Sequence, residues 1–216
     1  LNGWQPDVIL LTVPPLLDSL PATFLGWFYN CPVVLNVQDI LPEAAIRTGL
    51  LKNKFMIRAL EALEKFAYKK AHTINVIADG FGKNLVNKKV PINKSACIPN
   101  WVDINFIRPL PQKAKKWKAI HKLENKFVAL YSGNIALTQG LETVIEAAAS
   151  LSHIPEIAFV IAGESKALKR LQKYCLACGA DNILLLPLQP REKLPEMLAA
   201  ADVGLVVQKR NVISFN

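Results

Sequence analysis

Short runs of Val, Ile and Leu recur along the chain at Val8–Thr12, Val33–Val37, Thr73–Ile77, Ser95–Ile98, Val128–Ser132, Ala158–Ala162, Ile183–Leu186 and Val203–Val207. Most lack polar alternation, the pattern of parallel strands covered by helices on both faces. Between them the apolar residues fall into a helical period. The longest such segment is Phe55–Ala71, where Ile57, Leu60, Leu63, Glu64 and Ala67 trace one stripe. Other helices are expected to open near Ala78, Gln112, Gln139, Ser165 and Arg191. This alternation predicts an α/β chain of open, doubly wound parallel sheets.

The pattern breaks around residues 99–123, where Pro99, Pro109 and Pro111 precede the lysine-rich K-A-K-K-W-K. Proline restricts itself and its predecessor, so a crossover between two domains is expected, with the boundary near residue 110. That gives a first domain over 1–110 and a second over 111–216. The apolar stretch 8–29 is interrupted by Pro14, Pro15, Asp18 and Pro21 and does not read as a spanning helix. The chain opens mid-pattern on W-Q-P-D-V-I-L-L-T and stops at I-S-F-N directly after a strand. It therefore reads as a piece of a longer protein, with both sheets incomplete.

Composition changes this picture in one respect. Of 216 residues, 51% are hydrophobic and 20% charged, as in a soluble globular protein and unlike a disordered one. The net charge of +9 is one-sided: residues 1–123 carry 17 Lys or Arg against 8 Asp or Glu, and the remainder is balanced. Such a field favours phosphorylated substrates, an anionic membrane or nucleic acid, with solvated helix faces as the ordinary alternative. No RNA-binding aromatic motif, helix-turn-helix signature or zinc pattern is present, which argues against nucleic acid. Trp4, Trp27, Phe28 and Tyr29 suit either an interface or a core. Cys175 and Cys178 form one C-x-x-C with no second pair and no histidine nearby, so no metal site is expected and a reduced, cytoplasmic compartment fits best.

Candidate chemistry gathers where strands end, because ligands of such sheets bind beyond the C-terminal strand edge. In F-V-A-L-Y-S-G-N-I-A-L-T-Q-G-L-E, Gly133 and Gly140 permit close backbone approach, and a helix start attracts phosphate. Asn134 and Gln139 can donate to the same anion. The spacing is neither a dinucleotide fingerprint nor a Walker motif, and an ordinary Gly turn accounts for it equally well. In F-V-I-A-G-E-S, Gly163 ends a strand and Glu164 can accept from sugar hydroxyls; a turn capped by Ser165 is the alternative. Leu188, in L-P-L-Q-P-R, suits the lip of a base site or a Pro-bounded turn. Asp39 and Glu43, in V-Q-D-I-L-P-E-A-A, suit sugar-hydroxyl binding or proton transfer, or else helix capping.

Taken together, the motifs resemble glycosyltransferase family 4. I-P-N-W-V-D-I-N-F-I-R-P is similar to that family's signature at the crossover between the two Rossmann-like domains of the GT-B fold. Y-S-G-N-I-A-L-T-Q-G-L-E resembles its donor-phosphate loop, and F-V-I-A-G-E and L-P-E-M-L-A-A-A-D-V-G-L-V follow in the family's order. V-Q-D-I-L-P-E-A-A is similar to a subgroup that adds amino-deoxy sugars or fucose derivatives to capsule, colanic acid and O-antigen. The resemblance implies a nucleotide-sugar donor (UDP- or GDP-linked) on the second domain and a saccharide acceptor, often lipid-linked, on the first. It implies retaining transfer without cofactor or bound metal, so that preorganised donors must neutralise the leaving diphosphate. The donor residues it assigns are Gly133, Asn134, Gln139, Gly140, Gly163, Glu164 and Leu188; Asp39 and Glu43 are the catalytic candidates. Asn134 and Gln139 stand where many members have Arg and Lys, so charge compensation is weaker here unless another cation contributes; the amide pair is itself typical of the subgroup the resemblance points to. The implied setting is the cytoplasm, with the basic first domain held against anionic lipid on the inner face of the plasma membrane. A GT-B-like nucleotide-sugar epimerase and a non-catalytic binding module are the alternatives, and an isolated piece of this length is expected to be inactive.

Overall fold

A computed structural model describes residues 3–47, 49–136 and 139–209, without the side chains of 165–167. The chain divides into two compact units, the first running to Trp101 and the second from Val102 to Lys209. The division falls ahead of residue 110 because the crossover packs with the second unit. Asp103 Oδ1 accepts from the amides of Asn105 and Phe106, and the Arg191 guanidinium lies 5.4 Å from the Phe106 ring centroid.

The first unit contains β1 (Ile9–Val13), α1 (Ser19–Phe28), β2 (Val33–Val37), α2 (Glu43–Arg47), α3 (Lys54–Lys70), β3 (Thr73–Val76), α4 (Asp79–Asn87) and β4 (Ser95–Cys97). Its parallel sheet has the order β1-β2-β3-β4. Val13, Leu35, Val37, Ile74 and Val76 bury one face beneath α1, α3 and α4, contacted by Ala22, Ala67, Tyr68 and Leu85. Burial alternates along β2 and β3, and Thr12, Val34, Asn36, Thr73 and Asn75 on the other face are half-buried or exposed. Among the described residues these helices lie on one face, since every crossover between these strands runs in one direction and a right-handed connection then places its helix on the same side. α3 starts where Asn53 Oδ1 caps the amides of Phe55 and Met56. α1 brings Trp27 and Phe28 to the surface, 77% and 63% exposed, and Trp4 is 63% exposed; of the two readings of these aromatics, the core one fails.

The second unit contains α5 (Pro111–Ile120), β5 (Phe127–Ser132), α6 (Glu142–Ser150), β6 (Ile157–Gly163), α7 (Ser165–Cys178), β7 (Ile183–Pro187), α8 (Leu194–Ala199) and the short β8 (Val203–Gly204). The order is β7-β6-β5-β8, all parallel. Here both faces are covered. Tyr131, Phe159 and Ile161 meet α6 and α7, whereas Val128, Leu130 and Val160 meet α5 and α8 through Trp117 and Met197. Full burial of each such aliphatic side chain contributes roughly 1.5–3 kcal/mol. Asp202 fastens the last strand: its Oδ2 accepts from the Val128 amide and from Lys118 Nζ, both at 2.8 Å. No helix among the described residues is long and apolar enough to cross a membrane.

Candidate functional site

In the second unit the strand order reverses between β5 and β8, and a doubly wound sheet opens a ligand crevice at such a point, beyond the C-terminal strand ends. The loop after β5 holds Gly133 and Asn134. Its shape is set locally: the Tyr131 hydroxyl donates to the Asn134 carbonyl at 2.7 Å, and the Gly133 amide donates to Ala162 O at 3.1 Å. Asn134 is exposed and Gln139 half-buried. Gly140 follows with φ +64°, a left-handed conformation in which a side chain is strained. α6 begins at Glu142, after Leu141 in the cap position, which makes no side-chain cap; the Thr143 amide donates to the Gly140 carbonyl at 3.0 Å.

The loop after β6 touches this one. A Cβ on Gly163 would lie 2.5 Å from Ile135 Cδ1 and 2.8 Å from the Gly133 carbonyl, so the absence of a side chain there lets the two loops pack. Glu164 follows, exposed, and occupies the cap of α7; the structure puts Ser165 inside the helix. Glu164 makes no side-chain cap either, so two helix starts without a cap from the N-cap side chain lie at adjacent strand ends, where the helix dipole attracts negative charge. Leu188, after β7, is 70% exposed at the same edge of the sheet. Leu137 and Thr138 of the expected loop lie outside the described residues.

One site residue has almost no signature in the sequence. After β8 the chain runs to Lys209, whose backbone and Cγ adjoin Gly140: a Cβ there would meet Lys209 Cγ at 2.9 Å and its amide nitrogen at 3.3 Å. Lys209 is exposed and makes no ion pair among the described residues. A lysine thus stands beside the Gly140 turn at the reversal of strand order. Its only signal is a Lys shortly after an apolar run.

In the first unit, Asp39 and Glu43 are held differently. Asp39 is exposed just beyond β2. Glu43 is tied down: Arg47 lies 2.6 Å from its Oε1, and Asn84 and Lys88 lie 2.9 and 3.6 Å from its Oε2. Partial burial raises the Glu43 pKa, but the Asn84 hydrogen bond and the charges of Lys88 and Arg47 outweigh it and hold the carboxyl below its ordinary value. Beside Asp39 runs an amide chain on the open face of the sheet. Asn36 Oδ1 accepts from Asn75 Nδ2 at 2.8 Å and from Gln38 Nε2 at 3.1 Å. Asn75 Oδ1 accepts from the Ile98 amide, and Gln38 Oε1 accepts from Asn100 Nδ2 at 2.8 Å. The chain locks the Gln38–Asp39 turn to the segment after β4.

Residues 113–210 match the family model described as glycosyl transferases group 1. WcaI of Escherichia coli (strain K12), named as a colanic acid biosynthesis glycosyl transferase, is 32% identical over 213 residues, covering 96% of this chain and 52% of that protein. WbjE of Pseudomonas aeruginosa, named as a glycosyltransferase, is 27% identical over 217 residues, with 100% and 52% covered. The chain spans about half the length of these relatives. Among solved structures, HepE of Anabaena in complex with UDP aligns at a TM-score of 0.75 and 18% identity, covering 93% of this chain and 53% of HepE. Sucrose-phosphate synthase from Thermosynechococcus elongatus aligns at 0.68 and 14%, covering 96% and 52%. The fold is that of the GT-B glycosyltransferases, and the matches lend no support to an epimerase.

Proposed function

On the match of residues 113–210 to the glycosyl transferases group 1 model, we propose that the chain supplies the donor unit and part of the acceptor unit of an enzyme moving a sugar from a nucleotide sugar to a saccharide. The single observation that carries this reading is the meeting of Gly140 and Lys209 where the strand order reverses. The diphosphate of a UDP- or GDP-linked donor sits there. The uncapped amides at α6 and α7 face its oxygens, Asn134 and Gln139 donate from the loop, and Lys209 supplies the cation that the amide pair lacks. Glu164 accepts from sugar hydroxyls, and Leu188 borders the base.

The finer points rest on the family resemblance: transfer with retention, charge neutralisation by protein groups without a bound metal, and a lipid-linked acceptor in cell-surface polysaccharide synthesis. The basic first unit is then held at the inner face of the plasma membrane. Asp39 addresses the acceptor hydroxyl, kept in place by the amide chain through Gln38. Glu43 acts as a positioning residue that ties α2 to α4, since its carboxylate is already committed.

Calorimetric titration of UDP, GDP, ADP and NAD tests the reading. The expected result is saturable UDP or GDP binding, weakened about tenfold or more by Lys209→Ala, as for loss of one charge-assisted contact. Asn134→Ala and Gln139→Ala weaken it less. Binding of NAD alone, or of no nucleotide, refutes the proposal.

A further inference from the structure

The first unit carries a second concave feature, at the end of the sheet opposite Gln38 and Asn100. It is a cavity of about 590 Å³ between the C-terminal half of α3 and the segment leading from α4 into β4. Five lysines line it: Lys65 and Lys69 from α3, and Lys88, Lys89 and Lys94 from the other wall. Glu61 and Glu64 also line it, leaving a formal excess of three positive charges.

Apart from one pair, these charges are not spent on one another. Lys88 is engaged, with Nζ 2.6 Å from the carboxylate of Glu64, which is 4% exposed. Lys94 donates from Nζ to the Lys69 carbonyl at 2.8 Å, linking the two walls. Lys65, Lys69 and Lys89 make no ion pair among the described residues, nor does Glu61. An ordinary solvated helix face spreads its lysines into open water. Here two segments of different chain position set exposed lysines around one recess, whose buried acid is already paired with Lys88. Like charges gathered in a concave, partly apolar wall focus the field and concentrate an anion of opposite charge. Lysines bind phosphate as point charges, without the planar geometry a guanidinium demands.

We propose that this cavity is a binding site for a phosphate group of two or more negative charges, a diphosphate or phosphomonoester, distinct from the donor crevice of the second unit. The excess of three charges matches a diphosphate, and the volume leaves room for an organic substituent, since small-molecule sites span roughly 300–1,000 Å³. The proposal does not depend on the transferase reading.

The test titrates inorganic pyrophosphate calorimetrically at low ionic strength into the wild-type protein, Lys65→Ala/Lys69→Ala, and Lys115→Ala/Lys116→Ala. The last variant removes equal charge from exposed positions on α5, in the other unit. Saturable binding, weakened at least about tenfold in the cavity variant and unchanged in the α5 variant, is expected. Absence of saturable binding, or equal weakening in both variants, overturns the proposal. Circular dichroism verifies that the exposed substitutions leave the fold intact. Flotation with phosphatidylcholine vesicles, with and without phosphatidic acid, then identifies the source. Capture that needs phosphatidic acid and is lost with pyrophosphate or in the cavity variant assigns a lipid headgroup. Pyrophosphate binding without capture assigns a soluble ligand.

Discussion

Replacing Gly163 by alanine puts the packing of the two second-unit loops to a quantitative test. The new methyl would lie 2.5 and 2.6 Å from Ile135 Cδ1 and Cγ1 and 2.8 Å from the Gly133 carbonyl oxygen. Ile135 Cδ1 and Cγ1 can move only by leaving their present rotamer, and the Gly133 carbonyl moves only if the whole Gly133–Ile135 turn moves. Overpacking of this kind costs about 1–3 kcal/mol, and the backbone contact puts this case near 2 kcal/mol. For a unit of roughly 100 residues that corresponds to a fall in Tm of about 10 °C. Trp117 is a convenient reporter, because it is 5% exposed in the second unit, whereas Trp4, Trp27 and Trp101 are exposed residues of the first. Its emission should shift red at a lower temperature in Gly163→Ala than in the wild type. Adding Ile135→Val removes Cδ1 and should restore only part of the loss, since the carbonyl clash remains. A midpoint for Gly163→Ala equal to the wild type's within error would refute the argument.

Three further outcomes are expected. Asn36→Ala removes the acceptor shared by Gln38 and Asn75 and should lower first-unit stability by about 1–3 kcal/mol in urea unfolding, with faster hydrogen exchange at the Ile98 amide. Lys88→Met strands the Glu64 carboxylate, whose pKa burial already raises against the opposing charge of Lys88. A raised folded pKa means stability is lost as pH rises from the unfolded value through the folded one. The variant's deficit should therefore be small at acidic pH and reach about 3 kcal/mol near pH 8 in urea titrations, the scale of a broken buried pair. Asn53→Ala removes the N-cap of α3 and should cost about 1 kcal/mol, read by chemical denaturation.

The strands were legible because each is a run of apolar residues bounded by turns, and seven of the eight fall within one or two residues of the expected positions, β8 stopping short at Gly204. Among the helices, α1 was not. Pro21 and Gly26 disguise it, and Gly26 is needed because a Cβ there would lie 2.5 Å from Val33 Cγ2. Which face of the first sheet α1, α3 and α4 take is hidden for a different reason: Val34 and Val37 are equally apolar on paper, and only strand order decides it. The glycines and amides of the donor loop were visible as local motifs. Lys209 was not, because its neighbour Gly140 is distant in sequence and the β5–β8 pairing alone brings them together. The Asn36–Asn75 bond likewise spans 39 positions and depends on strand register.

The brevity of β8 has a consequence for motion. Two residues pair with β5, and the Leu205 amide adds one bond to Leu130 O at 2.7 Å. Even with the Asp202 contacts to Val128 and Lys118 at its start, so short a strand belongs among the first parts of a domain to open transiently. Lys209 reaches Gly140 only while that strand is docked. Any occupant of the crevice is therefore coupled to a local opening equilibrium, and one that contacts Lys209 closes the edge of the sheet by mass action.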